Sequence, residues 1–592
     1  MIKLFKYFKW WYYPLILLIL GLTLIQVEVD LALIDYMREI ITLVGLANIT
    51  GQSQTTAILE QGLEMLGISL LSILITISVY YISSRIGANF VKHLRKRLYD
   101  QIQGFSLEEI NEFQTSSLIT RSTNDITQVQ MVVIMLLRLA FTAPITAVRA
   151  IMKVVEIDLT LSMPIAIAIL VIVLMISTIF VFVTPLFSKV QTMTDDLNQV
   201  TRENLTGLRV VRAHNAEGYE HSKFRKVNDK LTRTNLIVNR LMQMLMPGMM
   251  LVMNGVSLAV TWMAAVLIQN QSLGSNPLEG IAIQSQFSIY GIRILFAFMT
   301  LTMLFIMVPR GAVSGRRIYE VLSTKPKIND PVNPKTIPSD EAVEIAFNDV
   351  CFKYPGANEC VLEHINFKAK AGQTVAFIGS TGSGKSTIIN LIPRFYDVSN
   401  GSIEINGVDI RDVKQSDLLD HIGYIPQKGL LFSGDISSNL RIGKPDATEE
   451  DMIEALKIAQ AYDFVMEKEN GLNAEVAQGG KNFSGGQRQR LCIARAIIKK
   501  PKIYIFDDSF SALDYQTDRK LRTALKEQTK DSINFIVAQR IGTIMNADQI
   551  IVLDQGRAVG IGTHQTLLKD NKVYQEMAYS QLSKEELENA SL

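Results

Sequence analysis

The strongest constraint on the fold is where the apolar residues lie. Before about Met307 they gather into runs longer than a soluble core needs. Each run is long enough to cross a bilayer, which takes about 20 apolar residues in a helix. Six spans fit, near residues 14–36, 61–84, 130–153, 159–184, 245–269 and 283–308. Ahead of the first, Lys3, Lys6 and Lys9 alternate with Phe5, Phe8, Trp10 and Trp11 over Met1 to Tyr13, which predicts a short interfacial helix. The run after Pro14 leads into Gln26, Glu28 and Asp30 without a small-residue cleavage site, so it reads as an uncleaved anchor. Lys92, Arg95, Lys96 and Arg97 follow the second span. Together with the first lysines they place both termini in the cytoplasm of a multi-pass cell-membrane protein. The external loops then fall around 37–60, 154–158 and 270–282.

Two connections, from about Ser84 to Gln130 and from about Pro185 to Gln243, are long, polar and helically periodic. They read as helices leaving the membrane, each turning once, near Asn111-Glu112-Phe113 and near Asn215-Ala216-Glu217. Those turns either touch a cytoplasmic domain or are solvated hairpins. Glu28, Asp30, Arg138, Arg149 and Arg293 fall in or near the spans; each faces a cavity, or else snorkels or pairs. Met242, Met244, Met246, Met249, Met250 and Met253 suit helix packing, or a surface that accepts varied apolar ligands.

Pro326, Pro331, Pro334 and Pro338 mark a linker, dividing the chain into residues 1–322, a linker at 323–340 and a domain at 341–592. In that last part short apolar strands alternate with helical patterns, as in an α/β domain. A formal net charge of +2 over 592 residues does not suggest a nucleic-acid binder. Cys351, Cys360 and Cys492 fit neither a zinc site nor a disulfide framework and read as reduced thiols.

The chemistry is concentrated in this domain. Gly379-Ser380-Thr381-Gly382-Ser383-Gly384-Lys385-Ser386 fits the phosphate-loop pattern, between a strand-like run at Thr374 to Ile378 and a helix beginning at Ser386. Its glycines let backbone amides close on phosphate oxygens, Lys385 reaches the outer phosphates, and Ser386 ligates Mg²⁺. Asp507 and Asp508 end a buried-strand run, Ile503 to Phe506, and an acid there can hold Mg²⁺. Ser484-Gly485-Gly486-Gln487 opens a helix bearing Arg488 and Arg490 and makes a second anion site. Two phosphate-binding elements in one domain suggest nucleotides shared with another copy. Tyr354 could stack on an adenine.

In order, the phosphate loop, Gln427 after Pro426, Ser484 to Gln487, Asp507, and Ser511-Ala512-Leu513-Asp514 resemble the nucleotide-binding domain of ABC transporters. With the spans in front, nearly the whole chain resembles an ABC exporter half-transporter. The implied architecture is an α-helical six-span transmembrane domain fused to an α/β P-loop nucleotide-binding domain. The resemblance implies two paired chains with two ATP molecules held between each phosphate loop and the opposing signature. It makes Tyr354 the adenine-stacking residue, Gln427 the Q-loop glutamine beside Mg²⁺ with Ser386 and Asp507, and Asp514 the D-loop aspartate.

Two positions depart from that pattern. Asp508 stands where the family has a catalytic glutamate, and Gln539, in Ile536-Val537-Ala538-Gln539-Arg540, stands where it has a switch histidine. Asp508 is one methylene short, so its carboxylate is set back by about 1 Å, and a misplaced base costs on the order of 10²-fold. Gln539 cannot carry a histidine's charge. The expectation is a heterodimer in which this chain binds ATP but hydrolyses it poorly and lends its signature to a second half-transporter. This resembles the bacterial heterodimeric multidrug exporters, acting on a hydrophobic or amphipathic small molecule. A homodimeric lipid or peptide exporter and an ATP-binding membrane sensor are the rival readings.

Overall fold

The computed structural model describes residues 2–50, 54–274, 276–338 and 342–582. It divides into two compact units: residues 1–102 with 116–324, and residues 103–115 with 325–592.

In the first unit, six helices among the described residues are long and apolar enough to cross a membrane. They are Tyr12–Thr50, Thr55–Gln103, Ile126–Ile157, Leu159–Thr206, the pair Glu217–Gln243 and Leu245–Gln269, and Pro277–Ser323. Each expected span lies inside one of them. A helix satisfies its own backbone, which hydrocarbon cannot do. Asp158 stops one helix and caps the next by accepting from the Leu161 amide at 2.9 Å. Asn276 caps the last, with Pro277 at its first position. Val27, Leu31, Ile165, Ile172, Phe287 and Ile294 pack between helices.

The structure differs from the sequence reading in three places. Ile2–Tyr7 is a 3₁₀ turn rather than a helix through Tyr13, and Met1 lies outside the described residues. The region expected as a loop from 37 is helical to Thr50, and 51–53 lie outside the described residues. Each long connection holds a short helix with a break on both sides, not one turn. Leu107–Phe113 is opened by a capping box between Ser106 and Glu109 and closed at Gln114, where φ is +62°. Leu208–Ala213 lies between Gly207 and Asn215, where φ is +50°.

Most of the charges in the spans have partners. Glu28 pairs with Arg149. Asp30 accepts from Ser72 at 2.5 Å. The Arg138 guanidinium lies 3.3 Å from the centre of the Tyr80 ring. Arg293 is exposed and forms no ion pair among the described residues. The sequence reading missed Asp35, which accepts from Lys153 at 3.1 Å, Gln286 at 2.7 Å and Tyr290 at 2.8 Å.

Among the described residues the second unit carries twelve strands: β1 Glu344–Phe352, β2 Leu362–Lys370, β3 Thr374–Gly379, β4 Asn400–Ile405, β5 Val408–Asp409, β6 Ile422–Ile425, β7 Gly434–Asp435, β8 Glu475–Val476, β9 Ile503–Asp507, β10 Ile533–Val537, β11 Gln549–Asp554 and β12 Arg557–Gly562. An antiparallel sheet runs β2-β1-β4-β5, and a larger one runs β12-β11-β3-β10-β9-β6. In the larger sheet β11, β3, β10, β9 and β6 are parallel neighbours. Their near-continuous apolar sequences fit strands covered on both faces. Val375, Phe377, Ile505 and Phe535 face one core, and Tyr504 and Phe506 face another with the helix Gly485–Ile497. Residues 103–115 belong to this unit. Leu107 packs on its core, and Asn111 donates to the Tyr396 hydroxyl at 3.1 Å.

Candidate functional site

Parallel strands bring their carboxyl ends to one edge, where ligands of open α/β sheets bind. Here the register sets Val537 opposite both Phe377 and Asp507, and Ile425 opposite Phe506. The segments leaving β3, β6, β9 and β10 therefore converge. They carry the phosphate loop, Gln427, the Asp507-Asp508 pair and Gln539.

The loop is shaped by its glycines. Gly382 and Gly384 have φ of +86° and +100°, and a Cβ on Gly384 would lie 2.6 Å from the Leu362 side chain. Only glycine adopts this backbone without strain. Gly384 caps the helix Lys385–Leu391. Lys385 donates from Nζ to the carbonyls of Gly379, at 2.8 Å, and Ser380, at 2.7 Å. Burial holds it below the usual lysine range against the pull of Asp508 and Asp507. The Ser383 Oγ is buried with no hydrogen-bond partner among the described residues.

Asp507 is 7% exposed and Asp508 9% exposed. Burial, then repulsion from Asp508, lifts Asp507 to about 6. Ser386 donates to Asp507 Oδ1 at 3.4 Å. A divalent cation between Ser386 and Asp507 would relieve this crowding of negative charge, so the residues present fit Mg²⁺.

Asp508 sits at φ +47°, with its amide donating to the Val537 carbonyl at 3.1 Å. Its Oδ2 accepts from Gln427 Nε2 at 3.2 Å and from Gln539 Nε2 at 2.9 Å. Burial raises the Asp508 carboxyl, while Gln427, Lys385 and Arg540 pull it back. Two amides from two strand ends thus hold one oxygen of the carboxylate.

Tyr354 is half-buried. Its ring meets Tyr396 nearly edge-on, centroids 5.4 Å apart at 88°, and its hydroxyl lies 3.0 Å from Thr387 Oγ1. A cavity of about 500 Å³ opens beside it, lined in part by Phe352, Pro355 and Asp397. Ser484 caps the helix Gly485–Ile497 through a reciprocal pair with Gln487 and is exposed, as is Gly485. A Cβ on Gly486 would lie 3.1 Å from the Ala512 carbonyl, so the signature abuts the segment ending at Asp514. Asp514 caps the helix Tyr515–Gln528, and the Thr517 amide holds its carboxyl below the usual range. The structure thus groups the phosphate loop, Gln427, Asp507, Asp508 and Gln539, and separately sets Ser484 to Gln487 beside Asp514.

The sequence reading did not assign Thr387, Ser511 or Arg540. Ser511 donates to the Asp508 carbonyl at 2.9 Å. Arg540 follows Gln539 directly, and its position beside the altered histidine site was the available signal.

Comparison with known proteins shows the family and the fold. Residues 17–308 match the ABC transporter transmembrane region, and residues 362–511 match the ABC transporter family. An uncharacterized ABC transporter ATP-binding protein of Mycobacterium bovis is 40% identical over 90% of each chain. An ATP-dependent lipid A-core flippase of Desulfotalea psychrophila is 31% identical over 87% of this chain and 89% of its own. A putative multidrug export ATP-binding/permease protein of Bacillus subtilis is 30% identical over 82% of each chain. The solved structure of a bacterial Atm1-family ABC exporter with ATP bound shares the fold. It superposes with a TM-score of 0.78 at 23% identity, covering 95% of this chain and 98% of that one. A membrane-spanning helical domain, a nucleotide-binding domain of this topology and relatives along most of its length make this chain a member of the ABC transporter family, a half-transporter of the exporter type.

Proposed function

We propose that this chain is the catalytically weak half of a heterodimeric exporter of hydrophobic or amphipathic compounds. ATP occupies the loop Gly379 to Ser386, with its adenine on Tyr354. Lys385 exchanges its two loop carbonyls for phosphate oxygens, and the unpartnered Ser383 hydroxyl offers a further polar contact. Ser386, Asp507 and Gln427 hold Mg²⁺, which neutralises phosphate charge when bound. Ser484 to Gln487 and Asp514 serve the nucleotide bound by the second half-transporter. The lysines near the N-terminus and those after the second span put both termini in the cytoplasm.

The observation that carries this reading is the state of Asp508. Its side chain is one methylene shorter than glutamate, and its Oδ2 already accepts two amide hydrogens, from Gln427 and Gln539. Gln539 is neutral and lies where charge is needed to steady the transferring phosphoryl group. Such a site grips nucleotide and cleaves it slowly. The cargo proposal draws on relatives named for a lipid flippase and for multidrug export. The test is ATPase activity of the purified chain alone and with its partner: slow turnover alone and brisk turnover together support the reading. Brisk turnover alone overturns it in favour of a homodimer.

A further inference from the structure

We propose that the N-terminal segment and the second and third membrane helices form a site for one anionic phospholipid, its headgroup on a cluster of unpaired cations and an acyl chain in an adjoining pocket.

Lys9, Lys92, Lys96 and Arg97 gather around His93. None of them, nor Lys3, Lys6 or Arg95, forms an ion pair among the described residues. Lys3, Lys9, Lys92 and Lys96 are exposed. The N-terminal segment is fixed to the second helix at this point: the Phe8 ring lies 4.5 Å from Phe90, and Arg97 lies over Tyr7 at 5.2 Å.

Phe8, which joins the N-terminal segment to Phe90, also lines an apolar pocket of about 270 Å³ together with Phe5, Tyr13, Ile16, Leu137 and Phe141. The depths agree. Gly87 abuts Ile134, and Tyr80 stacks on Arg138, so the two helices run antiparallel. In that register Lys92 and Lys96 fall opposite residues just before the third span begins, at headgroup level. The pocket-lining residues Leu137 and Phe141 lie a few turns deeper, at acyl level. Cations without counter-ions at the membrane surface attract anionic headgroups, at about fivefold in affinity for each lysine or arginine. An apolar pocket below them suits a hydrocarbon chain. The charge alone would bind any anion. The pocket selects one that carries an acyl chain.

The test uses the full-length transporter in detergent, titrated with dioleoyl phosphatidylglycerol and separately with dioleoyl phosphatidylcholine, with bound lipid counted by native mass spectrometry. Phosphatidylglycerol is expected to bind about 30-fold more tightly or better, and Lys92→Gln with Lys96→Gln to weaken it by about 30-fold. Ala140→Trp, which fills the pocket, is expected to abolish tight binding of the dioleoyl lipid. Equal affinity for the two lipids, or an unaffected lysine variant, overturns the proposal. Displacement by glycerol 3-phosphate at the same concentration identifies a free-anion site and also overturns it. If Ala140→Trp does not fold, a dihexanoyl-to-dioleoyl series on the unaltered protein replaces it, and affinity independent of chain length refutes the pocket assignment.

Discussion

Restoring the two altered side chains should restore hydrolysis at this chain's own site. The perturbation is Asp508→Glu with Gln539→His. Asp508 Oδ2 now receives amides at 3.2 Å and 2.9 Å. Glutamate carries the carboxylate about 1 Å further from the backbone, and histidine replaces the nearer amide by a group that can be positive. A displacement of that size costs on the order of 10²-fold when it misplaces a catalytic base. The double variant should therefore hydrolyse ATP at this site about 10²-fold faster, or about 2.7 kcal/mol off the barrier. Asp508→Glu alone should gain about tenfold, because Gln539 stays neutral. The assay is single-turnover hydrolysis in the complex, with the second site silenced by an amide in place of its catalytic carboxylate. Unchanged turnover in the double variant, with nucleotide binding intact, would refute the reasoning.

Other predictions follow from the same geometry. Lys385→Ala should remove one of two tightly bound nucleotides while sparing most turnover, whereas Ser484→Ala should cut turnover of the complex; bound-nucleotide counts beside steady-state rates distinguish them. Asp507 is lifted to about 6 in the fold from an ordinary 3.8, so its ionisation opposes folding. That penalty is absent below the unfolded value and complete above about pH 6, reaching up to about 3 kcal/mol. Asp507→Asn should accordingly raise the melting temperature of the nucleotide-free protein at pH 7.5, with the gain vanishing towards pH 4, and should weaken Mg²⁺-dependent binding. Asp35→Ala strips an acceptor from buried Gln286 and Tyr290 and should destabilise the membrane unit by about 2–5 kcal/mol, more than Asp30→Ala, in detergent melts.

The spans were legible because apolar runs of that length have one common solution, and the phosphate loop because Gly382 and Gly384 must take positive φ. Asp507 could be placed at a strand end from the run Ile503 to Phe506 alone. The joint grip of Gln427 and Gln539 on Asp508 could not be read, since it depends on the register of β6, β9 and β10, residues far apart in the chain. Asp35 was missed for the same reason: its three donors come from two distant helices. The short helix Leu107–Phe113 was read as a single turn, although Ser106 and Glu109 stand at capping-box spacing.

The most direct test of the central claim is the ATPase rate of the purified chain in nanodiscs, measured alone and after assembly with its partner. The weak-site account predicts a rate alone on the order of 10²-fold below that of the complex. An isolated chain that turns over ATP as fast as the complex would contradict it.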